Sequence, residues 1–319
     1  MTMQPGVRMS SSMFATIFAP CVRPVRYIWR RLPDAFLDTR LMRRVGTFVY
    51  DHYIRDTERQ QSHATWFMRN VPQLEVLRDR LAHLEQGATV RVASIGCSTG
   101  VELYSALWVI RTARPDFNVV AQGVDISAEV VEVARRGVYR ANAPAVAGGL
   151  YDLGGGNDVA TQLAPFEGLV EPLPGGAVRV QDWLREGVAW SACDATDPRL
   201  LDLLGPQDVV LARNFLGPMD DVLAEKCLRN IARLVVPQGY LVVDGVDLDL
   251  KTRVVRELDL VPIPDRIEEV HTADPSKKGW PWTRWSHEPM DRSRPDWILR
   301  YCTVFYATAN AAIPWLELL

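Results

Sequence analysis

The stretch SIGCSTGVELYS, residues 94–105, joins a short β-branched run, TVRVASIG, to a helical pattern, VELYSALWVIRTA. Its small residues let a ligand approach the backbone, and the first amides of the helix lie nearby. The loop is not GxGxxG, since Ser98 stands at the second glycine position, and no Gly-Lys-Ser/Thr of a P-loop follows. The stretch therefore predicts a nucleotide-like cofactor and leaves dinucleotides, nucleoside triphosphates and S-adenosylmethionine (SAM) open.

Strand and helix patterns alternate after this loop. The apolar run NVVAQGVDI precedes the helical SAEVVEVARRG, and further strand patterns follow in VAWSACDA (188–195), QDVVLARN (207–214) and YLVVDGV. Such alternation is typical of βαβ units on a parallel sheet. WILRYCTVFYAT (297–308) predicts a strong strand near the C-terminus.

The segment before this alternating pattern and the insertion within it differ from it in composition and in predicted structure. Residues 1–88 predict a helical N-terminal region, in which Phe36, Leu41, Val45, Phe48 and Val49 recur at spacings of three to four and form one apolar helix face. Residues 89–319 predict the α/β domain. Within it, the Gly-, Pro- and Ala-rich residues 141–180 predict a loop-rich insertion with room for a short hairpin ending in AVRVQDWL.

Composition narrows the classes of protein. The chain has 319 residues and a net charge of −3, which argues against a general nucleic-acid binder. Its five cysteines form no CxxC pair and no zinc-like cluster, which indicates free thiols in the cytoplasm and no metal site. MFATIFAPCV (13–22) is too short to span a bilayer and lacks a cleavage site, which indicates an amphipathic start rather than an export signal.

Polar residues at the ends of the predicted strands favour one cofactor. Asp125 follows the loop by about 25 residues, where an acidic side chain accepts hydrogen bonds from a ribose diol in both NAD and SAM sites. A cap for the helix near Ser127 is the alternative role. CDATD (193–197) and ARNFLGPMDD (212–221) also follow strands and would line the same crevice. These passages, and the helix followed by PQG (237–239) and a strand, resemble the corresponding passages of methyltransferases and so favour SAM.

Several motifs then occur in the order typical of one family. TWFMR (65–69), GCSTGVELYS (96–105) and GVDISAEVVEVARRGVYR (123–140) resemble T-x-F-F-R, G-C-S-T-G-E-E-P-Y-S and D-I-D…L…A-R-x-G-x-Y-R of the chemotaxis receptor methyltransferase (CheR) family. DVVLARN, a helix and PQGYLVV resemble that family's D-x-I-x-C-R-N…L-x-P-G-G-x-L. The resemblance runs from about residue 60 to residue 246 and is collectively strong.

The resemblance implies a class I methyltransferase fold, which is a Rossmann-like, mostly parallel sheet with an antiparallel C-terminal strand behind a helical N-terminal region. It implies SAM as the methyl donor and S-adenosylhomocysteine as the product. The cofactor contacts carried over are His63, Thr65, Arg69, Gly96, Ser98, Thr99, Gly100, Glu102, Asp125, Ile126, Asp194, Ala195 and Asn214. The catalytic positions carried over are Arg69, Arg213 and Asn214. The family often has Asn at the positions of His63 and Asp194.

The chemistry expected of such a site is an in-line displacement. A carboxylate acceptor is already ionised at neutral pH and needs positioning more than it needs a base. Arg69 could orient that carboxylate bidentately or pair with the carboxylate of the cofactor, and both roles stay open. For a phenol or amine acceptor, His63 is the candidate base.

Two departures from the family concern the acceptor side. Pro218 stands where the active-site Tyr is expected, and VDGVDLDL replaces H-S-E after the fifth strand. We therefore expect a changed acceptor, with a small, carboxylate-bearing metabolite as the first hypothesis. The alternatives are glutamate O-methylation on a chemoreceptor, a SAM-binding regulator without catalysis, and an NAD-dependent oxidoreductase.

Two further segments allow two interpretations each. The Trp-rich residues 279–297 contain Trp280, Trp282 and Trp285, and would form either a loop pinned to the body or a lid over the acceptor pocket. The basic residues 23–44 would form either a solvated helix face or a patch for an acidic protein partner. The oligomeric state stays open.

Overall fold

The structure is a computed structural model that describes residues 24–37, 39–54, 63–141, 144, 149–150, 159–273, 280–282 and 288–309. The helices are α1 (24–29), α2 (Asp34–Leu37), α3 (Arg40–Val49), α4 (Val71–Leu81), α5 (Val101–Ala113), α6 (Ala128–Arg136), α7 (Val159–Leu163), α8 (Asp182–Arg185), α9 (Leu200–Leu204), α10 (Asp221–Ala232), α11 (Leu248–Glu257), α12 (Ile267–Ala273) and α13 (Trp297–Tyr301). The strands are β1 (Thr89–Ile95), β2 (Asn118–Asp125), β3 (Val138–Ala141), β4 (Gly149–Leu150), β5 (Val170–Leu173), β6 (Ala177–Val180), β7 (Val188–Ala192), β8 (Gln207–Arg213), β9 (Val235–Asp244), β10 (Leu260–Pro262) and β11 (Val304–Ala307). The apolar segment 13–22, Cys21, Trp285 and residues 151–158 of the insertion lie outside the described residues.

The central sheet has seven strands in the order β10-β11-β9-β8-β1-β2-β7. Strands β7, β2, β1, β8 and β9 run parallel, and β11 runs antiparallel to both β9 and β10. The predicted mostly parallel sheet with an antiparallel C-terminal strand is thereby confirmed. The carboxyl ends of the parallel strands lie along one edge, where ligands bind in open α/β sheets.

The sequence prediction for residues 297–308 was wrong over its first half. Trp297–Tyr301 form the short helix α13, and only Val304–Ala307 form a strand. Periodicity alone did not separate the two because the helix is little more than one turn long. Its last turn buries Arg300 and Tyr301, both of which bond to Glu288, so tertiary contacts hold this helix.

The insertion contains a second, four-stranded sheet in the order β4-β3-β6-β5. Strands β5 and β6 pair antiparallel and form a hairpin that ends in AVRV. Tyr139 on β3 is fully buried, and its hydroxyl donates a 2.7 Å hydrogen bond to the carbonyl of Thr99. The small sheet therefore supports the loop after β1 from behind.

Part of the Trp-rich segment packs against the N-terminal helices. The rings of Trp280 and Trp282 lie 6.2 and 6.3 Å from that of Trp29 on α1, in edge-to-face arrangements. Gly46 on α3 lies directly under the Trp280 ring, which a Cβ at this position would overlap. Of the two interpretations of this segment, residues 280–282 fit the pinned loop.

The apolar face predicted for the N-terminal region does not point into the core. Leu41 is 70% exposed, Phe48 54% and Val45 40%, whereas α3 buries Gly46 on its other side. Leu41, Val45 and Phe48 have the predicted helical spacing but lack the burial that such a pattern usually signals. Of the other two residues of the predicted face, Val49 is half-buried against the Trp29 cluster and Phe36 lies on the separate helix α2. Within the residues that the structure describes, we find no helix long and apolar enough to cross a membrane.

Candidate functional site

A cavity of about 340 Å³ lies at the carboxyl edge of the central sheet, over the ends of β1, β2, β7 and β8. Residues from the segment before α4 and from the loop before α10 complete its walls. It is lined by His63, Ala64, Thr65, Gly96, Ser98, Glu102, Asp125, Ile126, Cys193, Asp194, Ala195, Arg213, Asn214, Phe215, Pro218, Met219, Asp220 and Leu223. Parallel strands direct all of these loops to one place, as the sequence pattern implied.

The loop after β1 is held in a conformation that depends on its small residues. Gly96 and Gly100 have φ values of +66° and +82°, which favour glycine. A Cβ on Gly100 would lie 2.5 Å from the Trp190 ring, so α5 begins in tight contact with its surroundings. The hydroxyl of Ser98 donates a 2.9 Å hydrogen bond to the carbonyl of His63, which ties this loop to the segment before α4.

Asp125, at the end of β2, organises the neighbouring backbone and also faces the cavity. One carboxylate oxygen accepts from the amide of Ser98 at 2.8 Å, and the other accepts from the amide of Ser127 at 3.0 Å. Each oxygen has a second lone pair, so two acceptor positions remain for a diol. The two roles considered for Asp125, helix cap and ribose acceptor, are therefore compatible.

The adenine-side residues lie on the turn after β7. Asp194 is exposed at the cavity edge and accepts a 2.8 Å hydrogen bond from the amide of Thr196. The buried Asn230 holds this turn from α10 by donating to the carbonyl of Ala195 at 2.8 Å. Across the cavity, Ile126 is 60% exposed and provides an apolar surface of the kind that a flat base contacts.

Buried charges lie behind the other side of the cavity. Glu102 on α5 accepts from the hydroxyl of Thr65 at 3.0 Å and pairs with Arg213 at 3.1 Å and with Arg69 at 3.5 Å. The side chain of Arg213 is only 2% exposed and also donates to the carbonyl of Arg69 at 2.9 Å. The guanidinium of Arg69 lies 4.1 Å from the centre of the Trp66 ring.

Asp244, the last residue of β9, completes this network, and the sequence analysis did not assign it a role. Its carboxylate is buried and accepts from Arg213 at 3.3 Å, from Gln73 at 2.9 Å and from the amide side chain of Asn214 at 2.8 Å. The signal was present in VDGVDLDL, since Asp244 ends the strand beside β8. What the sequence could not show is that the carboxylate turns toward its neighbour strand rather than toward solvent.

The network balances its charge. Two guanidinium groups, Arg69 and Arg213, face two carboxylates, Glu102 and Asp244, in a region where all four side chains are nearly inaccessible to water. Buried charges persist when they are paired and hydrogen-bonded, and removing one member leaves the others uncompensated. This arrangement fixes Arg213 and Asn214 in place at the cavity wall.

Asn214 has a left-handed backbone conformation, and Gly245 leaves room for it. Its φ is +59°, in the left-handed region, which asparagine tolerates better than most residues. A Cβ on Gly245 would lie 2.5 Å from Asn214, and Gly245 itself has a φ of +64°. Glycine at 245 therefore allows the ends of β8 and β9 to approach closely enough for the Asn214–Asp244 hydrogen bond.

The remaining wall is apolar. Phe215, Pro218, Met219 and Leu223 line the cavity between Asn214 and α10. The Phe215 ring lies against Gly96 and occupies the space that a Cβ at this glycine would need. Phe215, Pro218 and Met219 belong to ARNFLGPMDD (212–221), which was expected to line this crevice, whereas Leu223 on α10 was not predicted.

The structure brings most of the predicted site residues together at the cavity. His63, Thr65, Gly96, Ser98, Glu102, Asp125, Ile126, Asp194, Ala195, Arg213 and Asn214 all line it. Three others do not: Thr99 and Gly100 are buried under the loop, and Arg69 lies behind Glu102. Arg69 is therefore poorly placed to hold an acceptor carboxylate.

The cysteines near the cavity are not prepared for nucleophilic chemistry. Burial, reinforced by the charge of Asp125, raises the pKa of the Cys97 thiol well above its usual value. Burial and the carboxylates of Asp197 and Asp194 also raise the pKa of Cys193. Among the described residues, no group of three or more His, Cys, Asp and Glu side chains could hold a metal ion.

A comparison with protein families now identifies the region that builds this cavity. Residues 63–148 match the model described as "CheR methyltransferase, SAM binding domain". We call residues 63–148 the CheR-type domain, because they are similar to the SAM-binding domain of that family. The match includes His63, Ser98, Glu102 and Asp125, and the resemblance inferred from the sequence motifs is confirmed.

Curated proteins that are similar to this chain are distant relatives of it. The probable biofilm formation methyltransferase WspC of Pseudomonas aeruginosa is 26% identical over 191 residues, which are 58% of this chain and 42% of that protein. Chemotaxis protein methyltransferase 2 of Vibrio cholerae is 24% identical over 232 residues, which are 65% of this chain and 75% of that protein. The chain thus spans less than half the length of the first of these relatives.

Solved structures give a weaker likeness. An O-methyltransferase family protein from Burkholderia thailandensis is 16% identical, with 56% of this chain and 38% of that chain covered and a TM-score of 0.33. A score of this size carries no argument about function. The fold assignment rests instead on the strand order and directions described above.

The residues of the CheR-type domain fit SAM. The loop after β1 depends on glycine and serine and brings backbone close to the cavity, and Asp125 retains acceptor positions at the strand end. The exposed Ile126 offers apolar surface beside it. These features suit a nucleoside with a ribose diol, and the family match identifies it as SAM.

Proposed function

We propose that this protein transfers the methyl group of SAM to a carboxylate and forms a methyl ester. The observation that carries the proposal is the CheR-type domain whose matched residues line a cavity at the carboxyl edge of the sheet. Bound SAM supplies an electrophilic methyl group on a sulfonium. The chain itself would bind the donor, orient the acceptor and exclude water.

On the cofactor side, we assign Asp125 to the ribose diol and Ser98 to the backbone cradle. Asp194 and Ala195 would border the adenine, with Ile126 against its face. His63, Thr65 and Glu102 would border the opposite part of the donor. Thr99 and Gly100 would act indirectly, because both are buried beneath the loop that they shape.

On the acceptor side, we assign Arg213 and Asn214 to the wall beside the transferred methyl group. The guanidinium of Arg213 contacts Glu102, Asp244 and the carbonyl of Arg69. Its role would be to hold this wall in place beside the acceptor, because Glu102 and Asp244 offset its charge. A carboxylate needs no proton removed before attack, so this assignment requires no general base.

For the acceptor itself, we infer a glutamyl or aspartyl side chain of a protein. The relatives are named for chemotaxis and for biofilm formation, and no relative supports the small metabolite that the acceptor-side departures first suggested. A small carboxylic acid remains the second candidate because Phe215, Pro218 and Met219 give this wall apolar surface. The free thiols of Cys97, Cys193, Cys227 and Cys302 support a reducing compartment, which we propose is the cytoplasm.

The proposal is tested by following tritiated methyl groups from SAM. The protein is incubated with a membrane fraction of the source cells and, separately, with a protein-free metabolite extract. We expect radioactivity on membrane protein that is released as methanol by mild alkali, which is the signature of a carboxyl ester. Alkali-labile label only in the metabolite extract would favour the small acid instead.

Calorimetry separates a failure of catalysis from a failure of binding. We expect SAM and S-adenosylhomocysteine to bind and NAD not to bind. Binding without transfer to any fraction would support the SAM-binding regulator, and NAD binding without SAM binding would overturn the proposal.

A further inference from the structure

The outward face of α3 carries exposed apolar and basic side chains, and the Phe48 ring stacks on that of His52, with ring centres 4.3 Å apart. Leu41, Val45 and Phe48 recur at i, i+4 and i+7, so they share one side of the helix. Their exposed fractions are 70%, 40% and 54%, whereas Gly46 on the opposite side is buried under Trp280. The helix therefore packs on the protein with its apolar stripe exposed, whereas an amphipathic helix usually buries that stripe.

The same surface is positively charged. Arg40 and Arg44 lie one turn apart beside the apolar stripe on α3, and both are exposed. The neighbouring helix α1 adds the exposed Arg26, and the exposed Arg30 follows it directly. Neither helix contains an acidic residue, although the whole chain has a net charge of −3. Positive charge is thus concentrated on α1 and α3.

Helix α1 extends the mixture of apolar and basic groups. Tyr27 and Ile28 are each 59% exposed, and the guanidinium of Arg31 lies 3.5 Å from the centre of the Tyr27 ring. Arginine above an exposed tyrosine combines a cation with an amphipathic ring, a pairing that suits the boundary between water and lipid.

We propose that α1 and α3 form a docking surface for an anionic lipid bilayer. Helices of this kind lie in the plane of the interface, with apolar side chains at the edge of the acyl chains and basic groups at the phosphates. A convex helix face offers no groove for a peptide, and Leu41, Val45 and Phe48 would remain in water on a nucleic acid. A bilayer accommodates both kinds of side chain at once. The inference does not depend on methyl transfer.

Vesicle sedimentation tests the proposal with the full chain. The probes are vesicles of equal parts phosphatidylglycerol and phosphatidylcholine, and vesicles of phosphatidylcholine alone. We expect binding to the first and little to the second. Raising the salt from about 0.1 M to 1 M should weaken binding, because the Debye length falls from about 10 to about 3 Å.

Two pairs of substitutions locate the surface. Arg40→Gln with Arg44→Gln should weaken binding to anionic vesicles about thirtyfold. Leu41→Ser with Phe48→Ser should weaken it by at least about tenfold by removing the inserted apolar groups. The matched control is Arg136→Gln with Val222→Ser, which also removes an exposed arginine and an exposed apolar side chain, elsewhere on the surface. We expect the control pair to bind as the wild type does.

Four results would overturn the proposal. These are no binding of the wild type to anionic vesicles, equal binding to neutral vesicles, equal loss in the control pair, or no loss in either test pair. Sedimentation without lipid provides a further check. Self-association abolished by Leu41→Ser with Phe48→Ser would assign the face to a second copy of the chain instead. Circular dichroism of each variant confirms that the helices remain folded.

Discussion

The two halves of the cavity are built in different ways. On the cofactor half, the ends of β1 and β2 are held by backbone: Asp125 accepts from two main-chain amides, and the loop depends on Gly96 and Gly100. On the acceptor half, the ends of β8 and β9 are held by side chains, with Asp244 linking Arg213 to its neighbours. The first half uses local geometry and the second uses long-range charge pairing.

This difference explains why sequence motifs revealed the cofactor half of the cavity more fully than the acceptor half. Backbone-dependent sites need small residues at fixed spacing, so they leave a motif such as GCSTG. A charge network needs only that its members meet in space, and Gln73 and Asp244 are 171 positions apart. We therefore expect substitutions on the acceptor half to damage stability more than substitutions on the cofactor half.

The largest expected effect is that of Asp244→Ala. Removing this carboxylate leaves two buried guanidinium groups facing the single carboxylate of Glu102 and takes one acceptor each from Gln73 and Asn214, at a cost of about 3–5 kcal/mol in the free energy of unfolding. Urea denaturation measures the loss. Asp244→Asn retains the shape and some of the hydrogen bonds, and should cost clearly less. Equal stability of Asp244→Ala and the wild type would show that the charge network does not stabilise the fold.

The next effect is that of Gly245→Ala. The left-handed φ of this residue costs about 1–3 kcal/mol for a side chain, and the added Cβ also meets Asn214. We expect lower stability and, under the proposed function, loss of methyl transfer at saturating SAM with little change in SAM affinity. Gly87 has a similar φ and open space around the position of a Cβ, so Gly87→Ala measures the backbone strain alone. The difference between the two variants gives the effect of the contact with Asn214. If SAM affinity fell as much as methyl transfer, the two halves of the cavity would not have separate roles in binding the donor and the acceptor.

Asp125→Ala tests the cofactor half. If the carboxylate accepts from the ribose diol, SAM affinity should fall by about 1–3 kcal/mol, which calorimetry measures. Part of this loss would come from the freed amide of Ser98. Asp194→Ala is the comparison, since the exposed Asp194 should cost less. Unchanged SAM affinity in Asp125→Ala would refute its assignment.

The smallest effect is expected outside both halves, at Glu225 on α10. Hydrogen bonds from Arg253 and then from Arg229 lower the pKa of Glu225 to about 2. This stabilisation is present above the unfolded pKa of about 4.5 and is lost as the pH falls toward 2. Because the group is near the surface, Glu225→Gln should cost about 0.5–1 kcal/mol at pH 7. Denaturation at pH 7 and at pH 2.5 should show the difference shrinking, and a constant difference would mean that charge is not its source.

Much of the fold followed from patterns that act locally. The strand runs and the glycine-bounded helices predicted the parallel sheet, and the position of Asp125 after β2 placed one wall of the cavity. The sequence patterns did not predict three features, each for a physical reason. The helix Trp297–Tyr301 depends on contacts with Glu288, Arg69 is screened from the cavity by Glu102, and the apolar stripe of α3 faces outward although its spacing is that of a buried face. The domain boundary at residue 88 stays a prediction, as do the individual cofactor contacts.

The tryptophan contact between α1, α3 and residues 280–282 has a consequence for synthesis. Trp29 and Gly46 leave the ribosome more than two hundred residues before Trp280, the partner that covers them. Throughout that interval, the nascent N-terminal helices cannot make this contact. Since chains emerge at about 5–20 residues per second, the interval lasts on the order of 10–50 seconds. An early-binding chaperone would find Trp29 and the α3 surface exposed together during this time.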